Sequence, residues 1–348
     1  MKTLGELCNI VSGGTPLRSK TEFWDGGTIP WIKISNIKEK YVSEADEFIT
    51  EEGLLGSSAK MLNKGTVLYT IFATLGEVGI LKINACTNQA IAGLTIKDPT
   101  KLSTDYLYYY LKSKKSYVNS IGRGVAQNNI NMTLLKKFVI PLPNLLKQNE
   151  IVGVLDNVSN IIDIHQKELK YLDELVKARF VEMFGNPITN SKNLEAEKLK
   201  DVLILKAGDF TAASDISIER TPTNPYPCYG GNGIRGFVAE YNQDGDYSLI
   251  GRQGALSGNV QFARGRFKNT EHALLVKPKI EMDGMWLNQL LIHLDLKRYQ
   301  TGAAQPGLSV KNLQEIPIIL PPLEFQKQFA DFVREVDKSR YVSGSINI

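Results

Sequence analysis

The most regular pattern of apolar and polar positions lies at the centre of the chain. Between residues 147 and 184, Leu155, Val158, Ile162, Leu169, Leu172, Val176 and Met183 follow one another in steps of three and four, with His165 and Arg179 filling the two steps that are not apolar. An a/d seam kept up over about four heptads predicts one long helix. Lys167, Glu168, Lys170, Asp173, Glu174 and Lys177 supply the mixed charges of its solvated side. His165 then reads as a tolerated polar residue of the seam, not a ligand. At 1.5 Å per residue the helix is a rod of roughly 57 Å. Gly185, Asn186 and Pro187 follow it, and a glycine cap followed by proline ends a helix sharply. Such a helix cannot bury its seam alone, so a partner helix is expected.

Shorter patterns flank the rod. Apolar runs bounded by glycine predict strands at 66–72, 91–96, 247–250 and 273–276. Amphipathic stretches predict helices at 104–112 and 285–294. The two sides are related. Residues 124–130 (GVAQNNI) match 302–308 (GAAQPGL) at an offset of 178, which also carries Leu135 to Leu313, Ile140 to Ile318, Leu142-Pro143 to Leu320-Pro321, Gln148 to Gln326 and Val158 to Val336. Earlier in each lobe the register drifts, and Gln89-Ala90 pairs with His272-Ala273 at 183. The expected fold is α+β, with two mixed α/β lobes joined by long coiled-coil helices in a pseudo-twofold internal repeat. The expected division is a first domain over 1–146, the long helix over 147–185, a second domain over 186–322, and a short helix with a tail over 323–348. Phe325, Phe329, Phe332 and Val336 give the short helix an apolar stripe.

Composition excludes several classes. The 348 residues are 43% hydrophobic and 22% charged, which is ordinary for a globular chain and rules out a wholly disordered or collagen-like one. No run of 18 apolar residues occurs, and the start of the chain lacks a signal-peptide core. Three cysteines (Cys8, Cys86, Cys228) and three histidines (His165, His272, His293) form no metal-ligand spacing and no disulfide framework. A cytoplasmic protein without a metal is expected. The net charge of +4 is unevenly spread: +5 over residues 1–150, −2 over 151–190, +1 over 191–320 and none beyond. The excess of positive charge therefore sits in the lobes, which fits a DNA-binding protein without requiring one.

No catalytic constellation emerges. Asn224-Pro225-Tyr226 is only part of the loop by which amino-methyltransferases hold a base, and no cofactor-binding glycine loop precedes it. The cluster Gly230, Gly231, Gly233, Gly236 is not closed by Lys-Ser/Thr as a P-loop is. Glu168-x-Lys170, the nearest spacing to a nuclease centre, lies on the outer face of the long helix. What remains is a set of loop-borne side chains suited to base edges, where Arg and Lys pair with guanine and Asn and Gln with adenine. In the first lobe these are Arg18, Lys20, Lys33, Asn36, Arg123, Gln127 and Asn128. In the second they are Tyr229, Asn232, Arg235, Arg252, Arg264 and Gln305. Gln127 and Gln305 recur at matching positions of the repeat, so they suit backbone positioning better than reading different sequences.

These features together resemble the specificity subunit of type I restriction–modification systems, over nearly the whole chain. The first lobe carries Ser12-Gly13-Gly14-Thr15-Pro16 and Ile29-Pro30-Trp31-Ile32-Lys33-Ile34-Ser35-Asn36-Ile37, similar to one class of target recognition domain. The second carries Tyr226-Pro227-Cys228-Tyr229-Gly230-Gly231-Asn232 and Leu249-Ile250-Gly251-Arg252-Gln253-Gly254, similar to another. Each closes with a proline-rich approach to a helix, Ile140-Pro141-Leu142-Pro143 and Leu320-Pro321-Pro322-Leu323. The resemblance implies a non-catalytic reader of double-stranded DNA, each lobe taking one half of a split, asymmetric site while paired helices set the gap. It implies methyltransferase subunits docked on the helices, restriction/translocase subunits outside them, and no membrane partner. No cofactor is expected in this chain; S-adenosylmethionine, ATP and Mg would belong to the partner subunits. The competing reading is a stand-alone DNA methyltransferase or nuclease with a diverged site, which would itself bind S-adenosylmethionine. Adding 178 to Gly185 gives 363, beyond the last residue, Ile348. The second helix is therefore expected to be shortened, leaving the seam from about Leu169 to Met183 without an intramolecular partner and open to self-association.

Overall fold

The computed structural model describes residues 1–122, 129–254, 256–302 and 307–344. It divides into two units, Met1–Ile162 and Asp163–Ile348. The boundary falls inside the long helix, so that helix is shared between the units and is not a separate piece.

In the first unit, strands β1 (Cys8–Ser12), β2 (Ile29–Ile32), β3 (Tyr41–Val42), β4 (Glu47–Ile49), β5 (Val67–Thr70), β6 (Val78–Leu81), β7 (Cys86–Thr87) and β8 (Ile91–Ile96) form two sheets. One has the order β1-β8-β5-β6-β3, the other β4-β2-β7. Helices α1 (Thr104–Ser113) and α2 (Met132–Lys136) follow, and then the long α3 (Leu145–Phe184). Strands β5 and β6 are buried along their whole length, which is why they read as unbroken apolar runs and not as alternation.

The second unit repeats the plan. Strands β9 (Leu203–Ala207), β10 (Tyr226–Gly230), β11 (Gly233–Val238), β12 (Gln243–Asp244), β13 (Tyr247–Gly251), β14 (Val260–Ala263), β15 (Arg266–Asn269) and β16 (Ala273–Pro278) form sheets ordered β9-β16-β13-β14 and β11-β10-β15-β12. Helices α4 (Gly284–His293), α5 (Val310–Gln314) and α6 (Leu323–Gly344) complete it. Backbone hydrogen bonds fix the correspondence residue by residue. Gly13 N–H donates to Ile91 O at 3.0 Å and Gly208 N–H to Ala273 O at 3.3 Å; Asn88 N–H donates to Ile32 O and Thr270 N–H to Tyr229 O. Pro30 of β2 therefore matches Pro227 of β10. The pairing of Gln89-Ala90 with His272-Ala273 is corrected by one residue: Ile71 N–H reaches Ala90 O where Arg252 N–H reaches His272 O, so Ala90 matches His272 and Gln89 matches Glu271. A Cβ on Gly13 would lie 2.2 Å from Asn88 O, and one on Gly208 would lie 2.1 Å from Asn269 O. Both positions need glycine because two backbone segments touch there.

Each unit fastens its outgoing helix with one buried glutamine. Gln148 accepts from Ser103 N–H, the α1 cap, at 2.9 Å and donates to Pro143 O and Lys101 O, both at 2.8 Å. Gln326 accepts from Asp283 N–H, the α4 cap, at 3.0 Å and donates to Pro321 O at 2.8 Å. The first unit adds a charged anchor: Lys40 Nζ lies 2.6 Å from Asp156 on α3 and 2.8 Å from Asp105 on α1. Burial works against the Lys40 charge, but the hydrogen bonds to both carboxylates outweigh it and hold the ammonium above its usual range.

The long helix is covered unevenly, opposite to expectation. Val176 is 3% exposed and joins Phe180 and Phe184 in the second unit's core, against Phe329, Ala330, Val333 and Val336 of α6. Phe180 and Phe184 lie 5.5 and 5.6 Å from the Phe329 ring, and Arg340 reaches Asp173 at 2.6 Å. Leu172 and Met183 pack on the same core, and Leu169 is half-buried. Leu155, Val158 and Ile162 are instead 37%, 47% and 43% exposed. The cause is direction. α6 runs antiparallel to α3, so its first turns meet the end of α3, and Leu172 to Phe184 gain a partner while Leu155 to Ile162 do not. The buried positions step by four from Leu172 through Phe184, so the packed face also departs from the heptad reading. His165 pairs with Glu168 at 2.9 Å at the helix surface, not in a core. Gly185 ends α3 in the left-handed conformation, φ +76°, as expected for a glycine cap.

Candidate functional site

In both units the parallel pair β2/β7 or β10/β15 delivers chain to one rim, together with the loop that leaves β5 or β13. In the first unit this rim is built from Lys33, which follows β2; Gln89, which follows β7; and Phe72, in the loop after β5. Arg18 joins it through charge and aromatic contact. Its guanidinium lies 3.7 Å over the Trp24 ring and 4.9 Å from the Trp31 ring, and it meets Glu47 at 2.6 Å. Lys33 meets the same carboxylate at 2.5 Å. Hydrogen bonding from Lys33, and then from Arg18, holds the Glu47 carboxyl below its ordinary value against the opposing effect of burial. One carboxylate between two cations leaves a net positive charge on a rigid aromatic platform, suited to phosphate or to a guanine edge. The Asn36 Oδ1 accepts from Lys33 N–H at 2.8 Å and fixes the turn that carries the lysine. Lys20 stands apart at the surface, its ammonium 4.7 Å from the Phe23 ring. On the rim, Thr15 donates to the Gln89 side-chain oxygen.

In the second unit the rim holds Gly231 and Asn232, Arg252 and Gln253, and Glu271 and His272. A Cβ on Gly251 would lie 2.2 Å from Gly231 O, so the two glycine loops are in backbone contact. Asn232 Oδ1 accepts from Asn259 at 2.7 Å. Arg252 donates to Glu271 O at 3.4 Å, His272 Nε2 lies 3.1 Å from Glu271 Oε1, and His272 Nδ1 lies 3.1 Å from Gln253 Oε1. Arg235 is exposed, and its stem lies against Gly230. Two second-lobe candidates fall elsewhere. Tyr229 is half-buried, its ring packs against Phe267 at 5.4 Å, and burial pushes its hydroxyl pKa up. Arg264 lies beyond the opposite end of β13, 3.6 Å from Asp337 of α6, and takes no part in the rim.

Arg123, Gln127, Asn128 and Gln305 lie outside the described residues. Their described neighbours touch the rims: Asn129 bridges to Phe72, and Gly307 bridges to Gln253. Gln253 and His272 were not among the candidates because only strand register brings them together; the signals were Gln253 within the 249–254 motif and the repeat pairing at His272. Among the described residues no group of three His, Cys, Asp or Glu side chains could hold a metal ion, and no helix is long and apolar enough to cross a membrane.

The family model of the type I restriction modification DNA specificity domain matches residues 1–174 and 190–343. The chain belongs to this family. A specificity subunit of the type I restriction enzyme EcoprrI from Escherichia coli is 32% identical over 96% of this chain and 86% of the relative. The MjaVIII specificity subunit of Methanocaldococcus jannaschii is 23% identical over 94% of this chain and 80% of its own length. A solved type I S subunit from M. genitalium aligns over 99% of this chain and 90% of that one, with a TM-score of 0.59 at 19% identity, and so shares the fold. The work of such a specificity subunit is DNA target recognition, not catalysis. The stand-alone methyltransferase or nuclease is not favoured.

Proposed function

We propose that each rim reads one half of a bipartite, asymmetric site in double-stranded DNA, while α3 and α6 set the spacing between the halves. The observation that carries this reading is a backbone repeated in both units beneath side chains that differ. Lys33 stands where the second unit has Gly230, Phe72 where it has Gln253, and Gln89 where it has Glu271. Equal platforms with unequal chemistry suit two unequal half-sites. The exposed strip Leu155, Val158 and Ile162 suits a docking surface for methyltransferase subunits, with restriction/translocase subunits joining outside them. S-adenosylmethionine, ATP and Mg belong to those partners, and the assembly works in the cytoplasm. The test is co-expression with a type I methyltransferase subunit, followed by genome-wide mapping of methylated adenines. A bipartite motif that depends on this chain is expected; methylation without such a motif overturns the reading. Sedimentation of the chain alone and with that subunit separates docking from self-association through the same strip.

A further inference from the structure

The second rim contains a side chain held as a base reader needs to be held. Gln253 is exposed in the loop after β13, on a backbone fixed at two points. Arg252 N–H donates to His272 O at 3.0 Å, and Arg252 O accepts from Leu308 N–H at 2.8 Å, the bond that sets Gln253 opposite Gly307. Gly254 follows with φ +78°, and the matching Ala73 of the first unit has φ +60°, so the same turn presents Gln253 in one unit and Phe72 in the other. The amide is oriented in turn. Its Oε1 lies 3.1 Å from His272 Nδ1, and the far side of that ring lies 3.1 Å from Glu271 Oε1. The ring contact restricts the rotamer freedom that a free glutamine would lose on binding.

We propose that Gln253 reads an adenine edge in the half-site recognised by the second unit, with His272 as its positioning residue. An amide offers one acceptor and one donor side by side, which matches N6–H and N7 of adenine; guanine shows two acceptors there. His272 contacts Oε1 through one lone pair and leaves the second lone pair and the NH2 for the base. In the first unit, Phe72 at the same place offers only apolar contact, of the kind a thymine methyl accepts, so the two half-sites differ at this position.

This assignment rests on the reading of the rims as DNA-facing, and the test separates the two. The chain is co-expressed with a methyltransferase subunit that co-purifies with it, and methylated adenines are mapped for the wild type and for Gln253→Ala, His272→Leu and His272→Asn. Gln253→Ala is expected to lower the preference for adenine about ten-fold at one position of one half-site, leaving the other half-site intact. His272→Leu weakens the same position, and His272→Asn, whose amide can still donate to Oε1, restores it. A purely structural role for His272 lowers methylation at every position together. An unchanged motif in Gln253→Ala, or a loss spread over both half-sites, overturns the assignment while leaving the wider reading standing. A wild-type methylation pattern with no motif dependent on the chain overturns both.

Discussion

The two units use the same hydrogen bonds to build their rims and different side chains to finish them. The first is cationic and aromatic, with Arg18 and Lys33 sharing Glu47 beside Trp24 and Trp31. The second is an amide–imidazole–carboxylate chain, Gln253–His272–Glu271. Positions that must be glycine, such as Gly13 and Gly208, belong to the shared frame, whereas positions that face outward are free to diverge. The units also differ in how their helices are covered: α6 packs on the second unit's share of α3, whereas Leu155, Val158 and Ile162 of the first unit's share are left exposed.

That difference in cover gives the largest effect. Phe180→Ala removes a ring from between Phe184, Phe329 and His293 and is expected to cost about 3–5 kcal/mol, whereas Ile162→Ala on the exposed stretch is expected to cost under about 0.5 kcal/mol. Denaturant unfolding of both variants measures the contrast, and equal losses would mean the exposed half is covered in solution. The glutamine clamps come next. Gln148→Ala strands three hydrogen-bonding groups and Gln326→Ala two, for an expected loss of about 2–4 kcal/mol each. If one clamp proves dispensable, the equivalence of the two helix roots is broken.

A smaller change is expected at the first rim. Arg18→Ala and Lys33→Ala should each flatten the salt dependence of DNA affinity by about one unit of log–log slope where the residue meets a phosphate. Arg264→Ala, away from the rim, should leave that slope unchanged. The smallest effect is in pH. Burial holds the His293 pKa below its ordinary 6.5, and its ring stacks on Phe180 at 4.2 Å. The unfolded chain then takes up the proton first, so the second unit loses stability as pH falls below about 6.5 and regains it above. At the matching end of α1 the first unit has Ser113, which does not titrate. Thermal melts from pH 7.5 to 5 should show a slope that His293→Leu abolishes.

Much of this frame was legible in the chain. The long helix, its glycine cap and strand β8 were predicted from periodicity, and the repeat from Leu135/Leu313 to Gln148/Gln326 was plain because buried positions tolerate few replacements. The direction of cover on α3 was not legible, since a heptad pattern has no polarity and fits either end of the seam. The pairing of Gln253 with His272 was also hidden. The two are 19 residues apart in sequence, and strand register, not spacing, brings them together. For Tyr229 and Arg264, residue type alone suggested contact with DNA, whereas register sets Tyr229 half-buried against Phe267 and Arg264 just after β14, beside Asp337.

The glutamine clamps make each unit a cassette. Gln148 and Gln326 bind main-chain groups, in each case an N-cap N–H and a proline carbonyl, with Lys101 O added for Gln148, so these bonds are indifferent to the side chains of the loops above them. A foreign set of loops can be spliced between the first strand and the clamp without renegotiating the helix, provided the graft ends in a capped helix and a proline turn. The loops of each unit can thus differ while the root of its helix keeps the same hydrogen bonds.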